Sequence, residues 1–362
     1  MILNQWLILF LAAILSFVLT YITILIYRHN NWLDDPKKNN QLKVIHKTPV
    51  PRGGGIPIFF TILILGLLLL PLDKHLWGIL LGALILMIIG IIDDLKDLKP
   101  QPRLVLGVLA AMIVVGVGIG IPYISNPFGM GVIYLNQPQI AFTFFSKMHT
   151  IWVIADIFAI LWIVGLMNFV NWSKGLDGQL PGIVVVAAIT ILLLSQKFSA
   201  DITQWSVTIL AAILAGAYLG FLPWNIFPQK IMPGYGGGSL AGYFLAILAI
   251  LSTTKVGTLI VVLGVPIVDA VLVVIRRILA GKSPWWGDTR HLHHSLLALG
   301  WSKSKVAVFY WLITAIFGVI ALNLNSQQKL YTIVLIVLAF LTFLVWLKRS
   351  KPSSKLPGQD SG

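Results

Sequence analysis

Asp93, Asp94 and Asp97 stand together at the end of an apolar stretch, in a chain whose twelve acidic residues are all aspartates. On a helix Asp93 and Asp97 share a face at i and i+4, with Asp94 beside them. That spacing suits a Mg²⁺ site or a carboxylate that positions a phosphate nucleophile, and a solvated helix end balanced by Lys96 and Lys99 reads equally well. Asp269 is more telling, because it sits among apolar residues in Val265-Pro266-Ile267-Val268-Asp269-Ala270-Val271-Leu272, about two turns from Arg276. An ionised carboxylate there needs a cation or a water-filled cleft. Beyond Arg276-Arg277 a loop runs through Lys282, Trp285, Trp286 and Arg290 to His291-Leu292-His293-His294. Its histidines and cations could bind metal or hold a diphosphate by charge-assisted hydrogen bonds. Zinc fits less well, since no cysteine or glutamate complements the histidines. Asn168 and Asn171, one helical turn apart, lead into Gly175-Leu176-Asp177-Gly178. Two amides and a tight glycine turn can face a base or a metal-bound water, and a capped helix with a turn would look similar.

These clusters must be positioned by membrane helices. Of 362 residues, 58% are hydrophobic and 10% charged, which excludes a water-soluble core. The expected fold is all-α and polytopic, with eleven apolar spans at roughly Ile2–Ile26, Gly55–Leu72, Leu76–Ile92, Leu104–Ile121, Ile151–Phe169, Leu180–Leu194, Trp205–Leu222, Leu240–Thr253, Val256–Ile275, Val306–Leu322 and Tyr331–Leu347. Residues 1–349 read as one integral-membrane domain and 350–362 as a disordered cytoplasmic tail rich in Pro, Ser, Gly and Lys. The first span is too long for a signal-peptide core and reads as a retained helix. With the N-terminus outside and the C-terminus cytoplasmic, twenty-one of the twenty-six lysines and arginines fall on the inner side. The formal charge of +14 is then answered by membrane lipids and substrate phosphates, without nucleic acid. Dropping one of the weaker spans, Leu180–Leu194 or Leu240–Thr253, would put the basic histidine loop outside. The outer loop from Pro122 to Thr150 alternates around Val132–Leu135 and allows a short hairpin. Asp156 lies near the outer end of its span as an interfacial residue, apart from the other acids. Cysteine is absent, which excludes disulfides and thiolate chemistry. Because the clusters gather on the basic side, the pattern argues for a membrane-embedded enzyme with a charged cytoplasmic substrate.

Taken together and in order, these pieces resemble the polyprenyl-phosphate N-acetylhexosamine-1-phosphate transferase family, over about Lys43 to His294. The matching pieces are His46-Lys47 with Pro51-Arg52-Gly53-Gly54, Asp93-Asp94 with Leu98, Pro100, Arg103 and Leu104, Asn168 and Asn171 with Asp177-Gly178, Asp269, and Arg276-Arg277 leading to His291-Leu292-His293-His294. The His-Leu-His-His form is more similar to the N-acetylglucosamine-1-phosphate branch than to the muramoyl-pentapeptide branch. Two departures stand out. Lys174 occupies the first aspartate position of the usual Asn-x-x-Asn-x-x-Asp-Gly-x-Asp-Gly stretch, and Gly234-Tyr235-Gly236-Gly237-Gly238-Ser239, expected as a loop, has no acid where the family carries a Gly-Asp-x-Gly-Ser loop.

The resemblance implies transfer of an N-acetylhexosamine 1-phosphate from a UDP-sugar to undecaprenyl phosphate, with Mg²⁺ or Mn²⁺ as cofactor and UMP released. By the same resemblance Asp269, Asp94 and Asn171 would bind the metal, and Asp93 and Asp94 would position or deprotonate the lipid phosphate. His291, His293 and His294 would stabilise developing charge, while His46, Lys47, Arg52, Asn168, Asn171, Lys174, Asp177, Arg276, Arg277 and Arg290 would bind substrate. The implied location is the inner membrane with the site on its cytoplasmic face, and a homodimer is compatible with the sequence. Two rival readings are a polytopic transporter, which would place ionisable residues nearer the midplane, and a catalytically weakened scaffold, motivated by the two departures.

Overall fold

The computed structural model describes residues 4–36, 48–126, 128–129, 131–144, 147–197, 203–252, 255–283 and 291–350. Its helices are α1 (Gln5–His29), α2 (Gly55–Leu69), α3 (Lys74–Lys96), α4 (Pro100–Gly116), α5 (Val153–Trp172), α6 (Gln179–Gln196), α7 (Thr203–Asn225), α8 (Gly234–Leu251), α9 (Lys255–Val262), α10 (Gly264–Leu279), α11 (Leu292–Ala298), α12 (Lys303–Ala321) and α13 (Ser326–Ser350). A helix lies within each of the eleven apolar stretches, the one over Val256–Ile275 being interrupted. Among the described residues eight helices are long and apolar enough to cross a membrane, nine if α9 and α10 count as one crossing, while α2 and α4 are shorter. The protein is therefore polytopic.

Local chemistry sets the helix ends. Asp73 accepts from the Leu76 N–H at 2.9 Å to start α3, Ser302 accepts from Lys305 to start α12, and Pro100 opens α4 where its missing N–H costs nothing. The single span expected over Val256–Ile275 is instead broken at Leu263, with α9 and α10 meeting at 88°. Gly264 loosens the backbone there, and Pro266 has no N–H to offer the carbonyl four residues back. A second correction concerns Gly234–Ser239, which forms the first turns of α8 and lies wholly buried. Without side chains, Gly55 of α2, Gly90 of α3 and Gly236 of α8 let the three helices touch backbone to backbone; a Cβ at Gly55 would lie 2.9 Å from the Gly236 Cα.

The fold is not purely helical. Strand β1 (Leu33–Asp34) pairs antiparallel with β2 (Val50–Pro51), which brings Asp34 beside Arg52. The long loop between α4 and α5 carries two hairpins, β3 (Tyr123–Ser125) with β4 (Val132–Tyr134) and β5 (Gln139–Phe144) with β6 (Lys147–Trp152), so the alternation around Val132 is realised as a strand. Asp156 accepts from the Trp152 N–H at 3.0 Å and steadies the start of α5.

Polar contacts fix how the helices alternate. Arg52 before α2 reaches the end of α3, Arg103 of α4 reaches Asp93, Lys174 after α5 reaches the start of α8, and Asn225 at the end of α7 meets the turn before α6. Lys303 at the start of α12 pairs with Asp177 in the loop after α5. These ends therefore share one end of the bundle. Lys197, beyond α6, donates instead to the Leu322 carbonyl beyond α12, at the opposite end.

Candidate active site

Asp93 and Asp94 lie in the last turn of α3 and face different partners. Asp93, 1% exposed, accepts from the Leu98 N–H at 3.1 Å and pairs with Arg103 at 3.3 Å. Asp94 accepts from the Tyr235 N–H at 2.8 Å, with Arg52 Nε 3.7 Å away. Asp97 does not continue the face of Asp93. It ends α3 in the left-handed region at φ 45° and binds Arg52 at 2.9 Å. Arg52 thus holds three carboxylates, the third being Asp34 at 3.9 Å. Gly234, at φ +67°, lets the backbone pass against the Asp94 carboxylate where any side chain would collide with it. The Tyr235 ring lies between two cations, with Arg103 5.4 Å and Lys174 5.7 Å from its centre.

A second cluster forms around α10. Asp269, 8% exposed, accepts from the Leu292 N–H and faces His291 Nδ1, each at 2.9 Å. A carboxylate is acceptor-only, so this contact puts a proton on Nδ1 and orients Nε2 away from Asp269. The His291 and His293 rings stack 5.6 Å apart, and His294 follows at 4.3 Å from His293. Burial, then the neighbouring His294 and His291, pushes His293 well below the ordinary imidazole range. Of the arginine pair, Arg276 is exposed while Arg277 is buried over the Trp172 ring, which also lies near Phe169 and His291.

The connection between α5 and α6 joins the two clusters. Lys174 donates to the Gly234 carbonyl at 2.9 Å, and the next residue, Gly175, lies directly against the His293 ring. Burial pulls the Lys174 ammonium down to about 8, opposed by the charge of Asp94. Helix α5 runs three residues beyond the expected Phe169, so Asn171 is a helical residue packed on Gly238 of α8. Asn168 donates back to the Val164 carbonyl at 2.8 Å. Asp177 turns the other way, toward Lys303 at 3.7 Å and the Gln229 N–H at 3.4 Å. His46, Lys47 and Arg290 lie outside the described residues, as do Trp285, Trp286 and the tail from 351 onward.

A family profile for glycosyl transferase family 4 matches residues 76–253. The chain is 30% identical to a probable undecaprenyl-phosphate N-acetylglucosaminyl 1-phosphate transferase of Bacillus subtilis (strain 168), over 78% of this chain and 75% of that protein. The chain belongs to glycosyl transferase family 4. It is also 31% identical to a phospho-N-acetylmuramoyl-pentapeptide-transferase of Desulforapulum autotrophicum, over 76% of this chain and 80% of the relative. To an undecaprenyl-phosphate alpha-N-acetylglucosaminyl 1-phosphate transferase of Thermotoga maritima it is 26% identical, over 90% and 91%.

Within this family 4 chain the donor set fits a hard divalent cation in part. Such an ion takes oxygens with free lone pairs and completes its shell with water and substrate phosphates. The Asn171 Oδ1 is buried with no hydrogen-bond partner among the described residues, and each Asp269 oxygen keeps a lone pair beyond its one bond, so these two fit. The Asp94 Oδ1 is taken by the Tyr235 N–H, with Arg52 Nε 3.7 Å away. Among the described residues no group of three or more His or Asp side chains forms a preformed cage. Three participants were not singled out as site residues. Arg103 was visible only as part of a motif, Tyr235 only as an interruption in a glycine run, and Asp34 carried no signal at all.

Proposed function

We propose that this family 4 protein transfers an N-acetylhexosamine 1-phosphate from a UDP-sugar to undecaprenyl phosphate on the cytoplasmic face of the inner membrane, most naturally the N-acetylglucosamine derivative. The product is a lipid diphosphosugar that begins a cell-envelope glycan. The observation that carries the reading is the meeting of Asp93, Asp94, Arg52, Arg103 and Lys174 with the Asp269–His291 pair at one end of the bundle. The names of the relatives supply the substrate class, and the excess of basic loops on the same side supplies the orientation.

In the transfer an oxygen of the lipid phosphate forms a bond to the sugar-bearing phosphorus. The bond from that phosphorus to the bridging oxygen breaks, and UMP leaves with the oxygen. Two polyanions must approach each other, so positioned positive charge is the main demand on the protein. Asn171 and Asp269 would hold Mg²⁺, which would neutralise charge on the donor diphosphate. Asp93 and Asp94 fix Arg103 and Arg52 in place, and those guanidinium groups hold the lipid phosphate in line. Asp269 orients His291, whose Nε2 faces the phosphates and stabilises the charge that develops as UMP departs. Trp172 and Arg277 pack behind the imidazole and keep it there.

Radiolabelled UDP-N-acetylglucosamine and undecaprenyl phosphate, incubated with the purified protein in detergent, should give labelled lipid and one UMP per lipid. A panel of UDP-sugars yielding neither product would refute the proposal.

A further inference from the structure

The connection 173–178 between α5 and α6 has two ends that face different ways. Its first end is in the site, where Lys174 donates to the Gly234 carbonyl and Gly175 lies against the His293 ring. Its second end, Asp177-Gly178, is gripped by α12 and by the chain at and beyond the end of α7. The Asp177 carboxylate, in a residue 6% exposed, meets Lys303 Nζ at 3.7 Å through Oδ1 and the Gln229 N–H at 3.4 Å through Oδ2. Gly178 donates its N–H to Asn225 Oδ1, and its carbonyl accepts from Trp311 Nε1, each at 3.0 Å. Asn225 is itself buried and held by its bond to the Ile231 carbonyl at 2.8 Å. The indole also lies flush on the start of α6: at Gly182, one turn past Gly178, any side chain would collide with it. Lys303 and Trp311, about two turns apart on α12, thus meet two consecutive residues of the connection.

We propose that Asp177 is a positioning residue that docks α12 onto the α5–α6 connection and so holds Lys174 and Gly175 in the site, without itself touching the nucleotide or the lipid phosphate. Only Leu176 stands between Gly175 and Asp177, and it is buried in the core. Two peptide units span at most about 7 Å, so a shift at Asp177 reaches Gly175 with little slack. Gly175 has no room to absorb it, because a side chain there would already collide with His293. The ion pair with Lys303 is what removal of either partner would break, leaving the other charge uncompensated. Helix α12 lies beyond residues 76–253, so a family motif shows the aspartate without the lysine that holds it. The inference rests on the active site proposed above.

The chain has no cysteine, so a single introduced one reports on the loop. Ser173→Cys is placed at a buried residue of the connection, and Ser195→Cys, at a buried residue late in α6, is the control. In detergent a water-soluble maleimide should modify Ser173→Cys slowly, and at least about tenfold faster once Asp177→Asn or Lys303→Met is added, because the loop then opens locally. The two substitutions together should be no faster than either alone, and Lys303→Arg, which keeps the charge, should stay slow. Ser195→Cys should react at one rate in all these backgrounds. In the cysteine-free protein, UMP release should show kcat lowered about tenfold by Asp177→Asn and by Lys303→Met, with KM for the UDP-sugar within about twofold of wild type. A Ser173→Cys that stays slow in Lys303→Met overturns the proposal, and so does a KM raised about tenfold by Asp177→Asn alone. Equal quickening at Ser195→Cys would make the effect one of the whole fold and overturns it as well. Should Asp177→Asn fail to fold, Lys303→Met against Lys303→Arg decides alone. An inert wild type defeats the transferase assignment, whereas the maleimide rates decide this one whatever the activity.

Discussion

Replacing Asp269 with asparagine tests the link between the broken span and the chemistry. The substitution preserves shape, and its remaining oxygen can still accept from the Leu292 N–H. What it loses is the acceptor for His291 Nδ1, because an NH₂ group then faces a ring N–H across 2.9 Å. A hydrogen bond to a charged group contributes about 1.5–3 kcal/mol, and a buried donor left unpaired costs about 1–3 kcal/mol more. The imidazole escapes that cost by rotating or by moving its proton to Nε2, and either response misdirects the atom that should face the phosphates. At 1.36 kcal/mol for each factor of ten, a loss of about 3 kcal/mol lowers turnover by more than about a hundredfold. In a UMP-release assay under saturating UDP-sugar, Asp269→Asn should therefore show a collapsed kcat with a modest change in KM. The protein should stay inserted and monodisperse. Since Asp269 and His291 act as a unit, the double variant with His291→Ala should lose far less than the product of the two single losses. Retention of more than about a tenth of the wild-type rate by Asp269→Asn, or fully multiplicative losses, would refute the reasoning.

Arg52→Gln leaves Asp94 with Lys174 as its remaining cation, so we expect a loss of up to about 3 kcal/mol in stability, read as a lower melting temperature, together with weakened lipid-phosphate binding. An unchanged melting temperature would mean that Arg52 does not hold the carboxylates together. His293 is held below its ordinary value near 6.5, so the unfolded chain takes up a proton that the folded one refuses. Stability should accordingly fall as pH drops below that value, by up to about 1.4 kcal/mol per pH unit, with no contribution above it; His293→Gln should remove this slope in melting experiments across the acid range. Because the natural chain has no cysteine, Ser283→Cys in intact cells should be shielded from a membrane-impermeant thiol reagent while Ser125→Cys reacts. Labelling of Ser283→Cys from outside would overturn the proposed cytoplasmic face.

The helices were legible because apolar runs of spanning length have few other fates in this composition, and the positions of Asp93, Asp94, Asp269 and the histidines followed from them. Errors came where a residue type carries two meanings. Consecutive glycines read as a loop at Gly234–Ser239, yet they open α8 because bare backbone is what α2 and α3 need to approach. Gly264 and Pro266 lay in plain view inside an apolar stretch long enough to hide a bend of 88°. The inward choice of Arg277 over Arg276 was readable from phase, since Asp269, Val273 and Arg277 recur every fourth residue and all are buried on α10. The partners of the carboxylates were not readable. Asp34 meets Arg52 only through a two-residue strand pair, and the Asp94–Tyr235 contact spans 141 positions.

That distance in sequence also hides the partners of Lys174 from motif comparison. Taken position by position, an aspartate replaced by lysine and a glycine run without an acid look like two independent losses, and a decayed enzyme becomes an attractive explanation. Decay predicts that each damaged position drifts on its own, with buried polar groups left unpaired. Here the lysine is bonded to the very run that lacks the acid, and Tyr235, the bulky residue in that run, offers its N–H to Asp94 and its ring to Lys174 and Arg103. The lysine and the run are thus bonded to each other, which argues for a site kept in use.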